Sequence, residues 1–428
     1  MRKVHLWVED LSSAASEFVV GGSDMSQVLI LGAGECGLPL AYRLLRGGMA
    51  VTLVTNRDVE DVLAGGVTST QVKFAPTLEL ESDAGLGSWR SSAPEINGIR
   101  FAMVQDRQPV VQWSGRLHRP AQSVDQRTVF AKWLADVAAE GVALRVEDPA
   151  LVEIDRLALD HDLTIATRAT GLLAECFPPD RAWNTPPSPQ RRLAVLYLFG
   201  VPADPDGFGS YTTLPGHGEV ISYRGLTGVP GREQPCEIVL FEAVPGGCLD
   251  VFAPARPASE RLAQAIRLLA LHLPPEVAER YATAELTDRG ATLVGGVTPM
   301  MRTPIGALPS GTAIFGAGDV VCRMDPGGAQ GANSAAHCAA HYADAILRNG
   351  GRPFDKTRMI ATAAPWLTRI AHPAARWTTA LLDPPQRLRQ LVVAAQNDPA
   401  LACTFANTFA RPVGMADLLA QLQPDHSG

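Results

Sequence analysis

The stretch "VLILGAGECG", residues 28–37, is an aliphatic run that breaks into Gly32, Gly34 and Gly37. This G-x-G-x-x-G spacing does anion-binding chemistry. The first glycine permits a tight turn, the second lets backbone approach a pyrophosphate, and the third lets the next helix pack close to the strand. The helix start then offers unpaired N–H groups and positive dipole to the phosphates. A second stretch, "GAGDVVCRMDPGGAQGAN" at 316–333, delivers Gly318 and Asp319 from a strand, crosses through Gly and Pro, and opens a helix near Gln330. An aspartate there can accept from a ribityl hydroxyl, while N–H groups at the helix start can face an electron-rich ring edge. Both features suit a flavin better than a nicotinamide.

The acid expected on a ribose at the end of the second strand is displaced, because "VTNRD" puts Asn56 and Arg57 ahead of Asp58. A standard NAD site is weakened. Arg57 can stack on adenine or contact phosphate, or be a solvated loop cation. Other reactive residue types have plainer readings. No G-x-S-x-G elbow is present, and His217 in "PGHGE" has no serine partner, so it reads as a turn or sheet histidine. His337 and His341 stand four apart but lack the glutamate of H-E-x-x-H, so no metal site is expected. Cys36, inside the glycine loop, sits where a helix N-terminus lowers a thiol pKa, but it reads first as a small packed side chain. Trp89 and Trp113 are pocket walls or plain core.

Those residues need elements to hold them. "QVLILGAG", "ECGLPLAYRLLRGG" and "MAVTLVT" form a β-α-β unit whose second strand ends at Thr55. The 126–141 segment is an amphipathic helix, and strands at "VALRVED" and "LTIAT" extend the same sheet. From about 189 to 255, short alternating segments between Gly and Pro turns predict an antiparallel sheet. A helix over 258–273 follows, a buried strand at 311–319 resumes the nucleotide domain, and the chain beyond 351 is mostly helical. The expected organisation is therefore a first nucleotide-binding part at 26–188 with an excursion into the second domain at about 90–120. An antiparallel-sheet substrate domain at 189–290, a second nucleotide-binding part at 291–350 and a helical region at 351–428 complete it. Residues 1–25 read as a leader or disordered segment.

With 428 residues, 46% of them hydrophobic, the chain can bury a full core. A net charge of −7 without a basic stripe argues against nucleic acid. Seven scattered cysteines without a C-x-x-C pair point to reduced thiols in a cytoplasm. No apolar run approaches the ~18 residues of a membrane span, and Glu9 and Asp10 interrupt any signal core. A homodimer is the default oligomer.

At this point the chain resembles the oxygenase component of styrene and indole monooxygenases, the group E flavoprotein monooxygenases. The resemblance rests on "GAGECG", "TLVTNRD", "VDQRTVFAKWL", "YTTLPGHGEVIS", "GAGDVVCRMDPGGAQGAN" and "RWTTALLDPPQRLRQLV…FANTFARP". It implies an α/β fold with a Rossmann-like FAD-binding domain of the glutathione-reductase and p-hydroxybenzoate-hydroxylase type, a mixed or antiparallel-sheet substrate domain and C-terminal helices. FAD would lie with its pyrophosphate over Gly32, Gly34 and Gly37, and Arg127 would contact the phosphates. Asp319 would take the ribityl chain, and the backbone of Gly331, Ala332 and Asn333 would meet the isoalloxazine. Pro326, Gly327 and Gly328 would border the reacting face, with Ser69, Thr70, Gln71, Val72 and Phe74 lining the substrate side.

The implied reaction is that of a two-component monooxygenase. FAD reduced by a separate NAD(P)H:flavin reductase captures O₂ as a C4a-hydroperoxide, which epoxidises or otherwise oxygenates an apolar alkene, aromatic or sulfide. Relatives that epoxidise styrene carry Asn and His in the segment where this chain has Thr70 and Phe74, so the substrate does not carry over. Single-component hydroxylases use an Asp-Gly motif that "HDLTIATRATG" lacks, and no second G-x-G-x-x-G exists for a pyridine nucleotide. The rivals are such a single-component NAD(P)H-dependent aromatic hydroxylase and a catalytically silent flavin-binding protein. A halogenase is disfavoured because its W-x-W-x-I-P signature is absent.

Overall fold

The structure is a computed structural model that describes residues 27–168 and 170–421. The leader expectation for residues 1–25 lies outside the described residues. Ten strands carry the argument: β1 (Gln27–Leu31), β2 (Ala50–Thr55), β3 (Glu95–Gln105), β4 (Gln108–Gln122), β5 (Ala143–Val146), β6 (Leu163–Ala166), β7 (Arg192–Phe199), β8 (Phe208–Leu214), β9 (Gly218–Thr227) and β10 (Gln234–Ala243).

The first sheet runs in the order Ile305–Ala307, Ala313–Gly316, β6, β1, β2, β5, parallel except for its outermost strand. β1 is apolar throughout because both its faces are covered. Val28 and Ile30 meet a core built with the Gly37–Arg46, Gln126–Ala139 and Gly331–Arg348 helices, while Leu29 and Leu31 meet Ile154, Ala158 and Phe177 on the other face. The chain passes from β1 to β2 on one side and returns to β6 on the other. That switch point opens a crevice at the carboxyl ends of the strands.

The second sheet runs Glu285–Leu286, β7, β10, β9, β8, β3, β4, antiparallel except for the β8–β3 pair. A two-residue turn with Asp106 and Arg107 at φ 50° and 62° closes the β3–β4 hairpin in the twisted form that suits it. One face of this sheet packs on the Ala258–His272 helix through Leu196, Val239, Leu268 and Leu269. The other is covered by the Gln386–Ala394 and Pro399–Ala410 helices and carries Phe101, Trp113 and Tyr211. These three rings stand opposite one another across β4, β3 and β8, with centroids 5.0 and 6.2 Å apart. Backbone bridges at Lys73–Gln122 and Val124–Leu226 tie the sheets together beside the crevice. No helix among the described residues is long and apolar enough to cross a membrane.

Candidate active site

At the β1 end of the crevice each glycine of the loop has its own constraint. Gly32 sits at φ 117°, and a Cβ there would lie 2.7 Å from Thr167 Oγ1. A Cβ on Gly37 would drive into the carbonyl oxygen of Gly32, whereas a Cβ on Gly34 would meet nothing within 4 Å. The outer two glycines serve the turn and the helix packing; the middle one presents bare backbone to open space. That space is a cavity of about 190 Å³ shared by Gly32, Gly34, Asn56, Arg57, Thr167 and Arg168. Arg168, ion-paired with Asp148, joins the wall from the loop after β6, a residue that sequence spacing alone does not assign.

Arg127 departs from expectation. Its Nε donates to Asp125, one terminal nitrogen to Gly65 O (3.3 Å) and Asp288 (2.9 Å), and the other to Asp125 (2.7 Å) and Asp288 (2.8 Å). All its donor directions are spent, and no N–H is left for a phosphate. Asp125 is itself the cap of the helix that starts at Gln126, so the arginine locks that helix to the loop at Gly65 and Asp288.

Across the crevice, Gly318 lies against Cys36, 3.0 Å from its Cβ to a Cβ built on the glycine, which brings the second glycine-rich stretch onto the first. Asp319, in the single turn that follows, is exposed and accepts no hydrogen bond among the described residues. Cys36 is buried, and its thiol is pushed well up by its hydrogen bond to Cys338 and by burial, the reverse of a reactive thiolate. The helix Gly331–Arg348 begins with N–H groups that no helical carbonyl can reach, and Gly331 has open space beside it. Asn333 holds that start in place. Its Oδ1 accepts from Phe74 N (3.1 Å) and Thr77 Oγ1 (2.7 Å), and its Nδ2 donates to Val72 O (2.8 Å) and Ala329 O (2.7 Å). Gln71 Oε1, buried beside this clasp, has no partner. Open backbone at Gly34 and Gly331, the unpaired Asp319 and the orphaned Gln71 oxygen together fit an extended dinucleotide with a polar ring.

Between these walls lies a small pocket of about 60 Å³. Thr70, Gln71, Val72 and Phe74 face it from one side, and Pro326 and Gly327 from another. Ser69 does not reach it; its carbonyl accepts from the Tyr197 hydroxyl at 3.1 Å. Tyr223 also lines it. Gly328 lies behind, where a Cβ would come 2.7 Å from Thr378 Oγ1, and Ala329 holds a left-handed φ of 53° that ends the loop.

Beneath Pro326 and Gly327 sits a cluster that sequence reading missed. Glu242 on β10 and Glu219 on β9 are directly opposite one another, and both are buried. Arg191 pairs with Glu219 through two bonds of 2.7 and 2.9 Å. Glu242 and Asp325 press their carboxyls together without any other donor on Glu242. Two buried like charges cannot both persist, so the pair favours sharing a proton, with the Glu242 carboxyl pushed well up by burial and by Asp325. Asp325 is pushed up to about 6 by burial. The available signal was a glutamate at each end of the apolar strand "EIVLFE". A second buried cluster sets Lys73 between Glu35 of the glycine loop (2.5 Å) and Glu81 (2.6 Å), 4.5 Å above the Trp133 ring.

The remaining candidates take structural positions. His217 is exposed in the turn before β9, and His341 Nε2 lies 2.8 Å from Thr362 O. Trp89 donates to Glu233 at 2.7 Å, while Trp113 walls a larger cavity described below.

Residues 170–280 match the family described as "Styrene monooxygenase A putative substrate binding domain". The chain is 26% identical over 406 residues to styrene monooxygenase StyA of Pseudomonas fluorescens, covering 90% of this chain and 92% of that one. Among solved structures it is similar to a flavoprotein/dehydrogenase from Cytophaga hutchinsonii (TM-score 0.62, 15% identity, 90% and 92% of the two chains). It is also similar to the flavin-dependent brominase Bmp2 (TM-score 0.59, 12% identity, 93% and 100%). The fold is that of these flavoproteins.

Proposed function

We propose that this styrene monooxygenase-like chain is the oxygenase of a two-component system. It takes FAD reduced by a separate NAD(P)H:flavin reductase and, with O₂, places one oxygen atom on an apolar alkene, aromatic or sulfide substrate. One observation carries the reading: the Thr70–Phe74 and Pro326–Gly327 walls face each other across an apolar pocket beside the start of the Gly331–Arg348 helix.

Bound FAD supplies the oxygen activation. The chain's own residues do the rest. Gly32, Gly34 and Gly37 would hold the pyrophosphate, Asn56 and Arg57 would border the adenine end, Gly318 would place Asp319 for the ribityl hydroxyls, and the Gly331, Ala332 and Asn333 N–H groups would meet the ring edge. Thr70, Gln71, Val72 and Phe74 keep the substrate at the face bordered by Pro326 and Gly327, and Ser69 and Gly328 set those two walls. Apolar surfaces exclude water, and the narrow pocket limits the approach of the reacting atom. A proton shared between Glu242 and Asp325 would let the Pro326–Gly328 loop sit over the pair without a net buried repulsion.

Purified chain mixed with FAD and NADPH should consume no NADPH, and adding a flavin reductase should start oxygenation of a vinylarene or aryl sulfide. Substrate-stimulated NADPH consumption by the chain alone would instead make it a single-component hydroxylase. No turnover with reduced FAD and air would make it a silent flavin-binding protein.

A further inference from the structure

The small pocket at Pro326 is only one end of the space inside the second sheet. Ile99, Tyr211 and Phe409 line both it and a chamber of about 370 Å³ that runs between the sheet and the C-terminal helices. The chamber is walled by Phe101 and Trp113 from the sheet and by Leu388, Val392 and Phe405 from the helices. Magnitudes decide what can sit where. A cavity of about 150 Å³ is what a benzene ring occupies in a protein core. At about 60 Å³ the pocket beside Pro326 is too small for a ring, and at about 370 Å³ the chamber lies in the range of drug-sized ligand sites.

We propose that the two spaces form one substrate site for an elongated apolar molecule of two or more rings. Its oxidisable end, a vinyl group or thioether, enters the small pocket while its aromatic body fills the chamber beyond the waist of Ile99, Tyr211 and Phe409. Four observations support it. The waist is shared by both spaces, and three of the chamber's rings, Phe101, Trp113 and Tyr211, form one aromatic ladder across the sheet. Phe405 meets Trp113 edge-on at 5.1 Å, which offers an aromatic guest both face and edge contacts. The exposed Arg389 lies on the lining, so the chamber reaches the surface beside it. The inference rests on the functional reading above, since it assigns the reacting end to the Pro326 wall.

Binding tests it without turnover. Thioanisole and 4-(methylthio)biphenyl are titrated into the FAD-loaded protein, read by tryptophan fluorescence and calorimetry. The added ring should tighten binding at least about tenfold, the effect of burying one more ring. Val392→Trp and, at a half-buried position that tolerates bulk, Leu381→Trp fill the chamber and should each abolish that gain. Equal affinity for both probes in the wild-type protein, or a gain that survives both substitutions, overturns the two-chamber site. Failure of oxygenation with the binding pattern intact would strike the monooxygenase reading alone; oxygenation without length dependence would strike the chamber alone.

Discussion

At the scale of single residues the glycine loop separates cofactor binding from folding. Gly34→Ala adds a methyl to open space, so melting of the flavin-free protein should stay within about 1 °C of wild type, since such a surface change moves stability by only a few tenths of a kcal/mol. FAD affinity should fall at least about tenfold, measured by flavin fluorescence titration, because the methyl stands where the pyrophosphate must approach. Gly37→Ala should do the reverse and destabilise the free protein through its clash with the Gly32 carbonyl. Equal losses of both properties in both variants would contradict the assignment. Glu242 gives a pH test. Its carboxyl is raised above the ordinary 4.5, so the folded state binds a proton that the unfolded state releases, and that stability is present below 4.5 and lost as pH rises through the folded value. Relative to Glu242→Gln, which cannot titrate, wild type should become less stable as pH rises from about 5, by at most about 1.4 kcal/mol per unit. Thermal melts of both proteins across pH 5–8 measure it, and a constant difference would remove the shared proton.

At the scale of elements, the clasp made by Asn333 joins the Gly331–Arg348 helix to the Val72–Thr77 segment. Asn333→Ala removes four hydrogen bonds, three of them buried, and leaves the Phe74 N–H and Val72 C=O without these partners, which should cost about 3 kcal/mol in urea unfolding and weaken FAD binding further. Retained urea midpoint and affinity would show the clasp to be idle. This contact marks the border of what could be read beforehand. The β1–helix–β2 unit is legible because continuous aliphatic residues and a glycine spacing say strand, turn and helix independently of tertiary context. β3 and β4 are legible only as an excursion of about 90–120 into the second domain: in β4 Trp113, Gly115 and Leu117 alternate with Gln112, Ser114, Arg116 and His118, which says half-buried strand but does not name its partner. The short Ala75–Asp83 helix, with Pro76 in its first turn and no strong apolar stripe, stays hidden. The Asp288 partner of Arg127 is not legible beforehand because it lies 161 residues away, and only the fold brings that carboxylate within 2.8 Å.

At the scale of the whole molecule, the candidate site exists because the C-terminal helices return to both the sheet and the flavin-side loop. Gln330, at the start of the Gly331–Arg348 helix, donates to the Phe409 carbonyl at 2.8 Å and to Gly328 O at 2.7 Å, so the Pro399–Ala410 helix braces the loop that carries Pro326. Phe409 itself packs edge-on to Trp377 at 5.0 Å and near Tyr211, where the middle and last thirds of the chain meet. Phe409→Ala should therefore do two things that a remote core truncation would not combine. It should cost about 3–5 kcal/mol by leaving a cavity among aromatic rings, lowering the melting temperature by several degrees. It should also merge the small pocket with the larger chamber, so that the reacting atom is less closely held and coupling of reduced-flavin consumption to product drops, with more hydrogen peroxide released. A control in the other face of the same sheet, Leu268→Ala, should lower stability by a similar amount while leaving coupling at the wild-type value, because Leu268 touches only the core beneath the Ala258–His272 helix. If both variants uncouple to the same degree, loss of stability rather than loss of the wall governs oxygen transfer, and the C-terminal helices have no role in the site beyond packing.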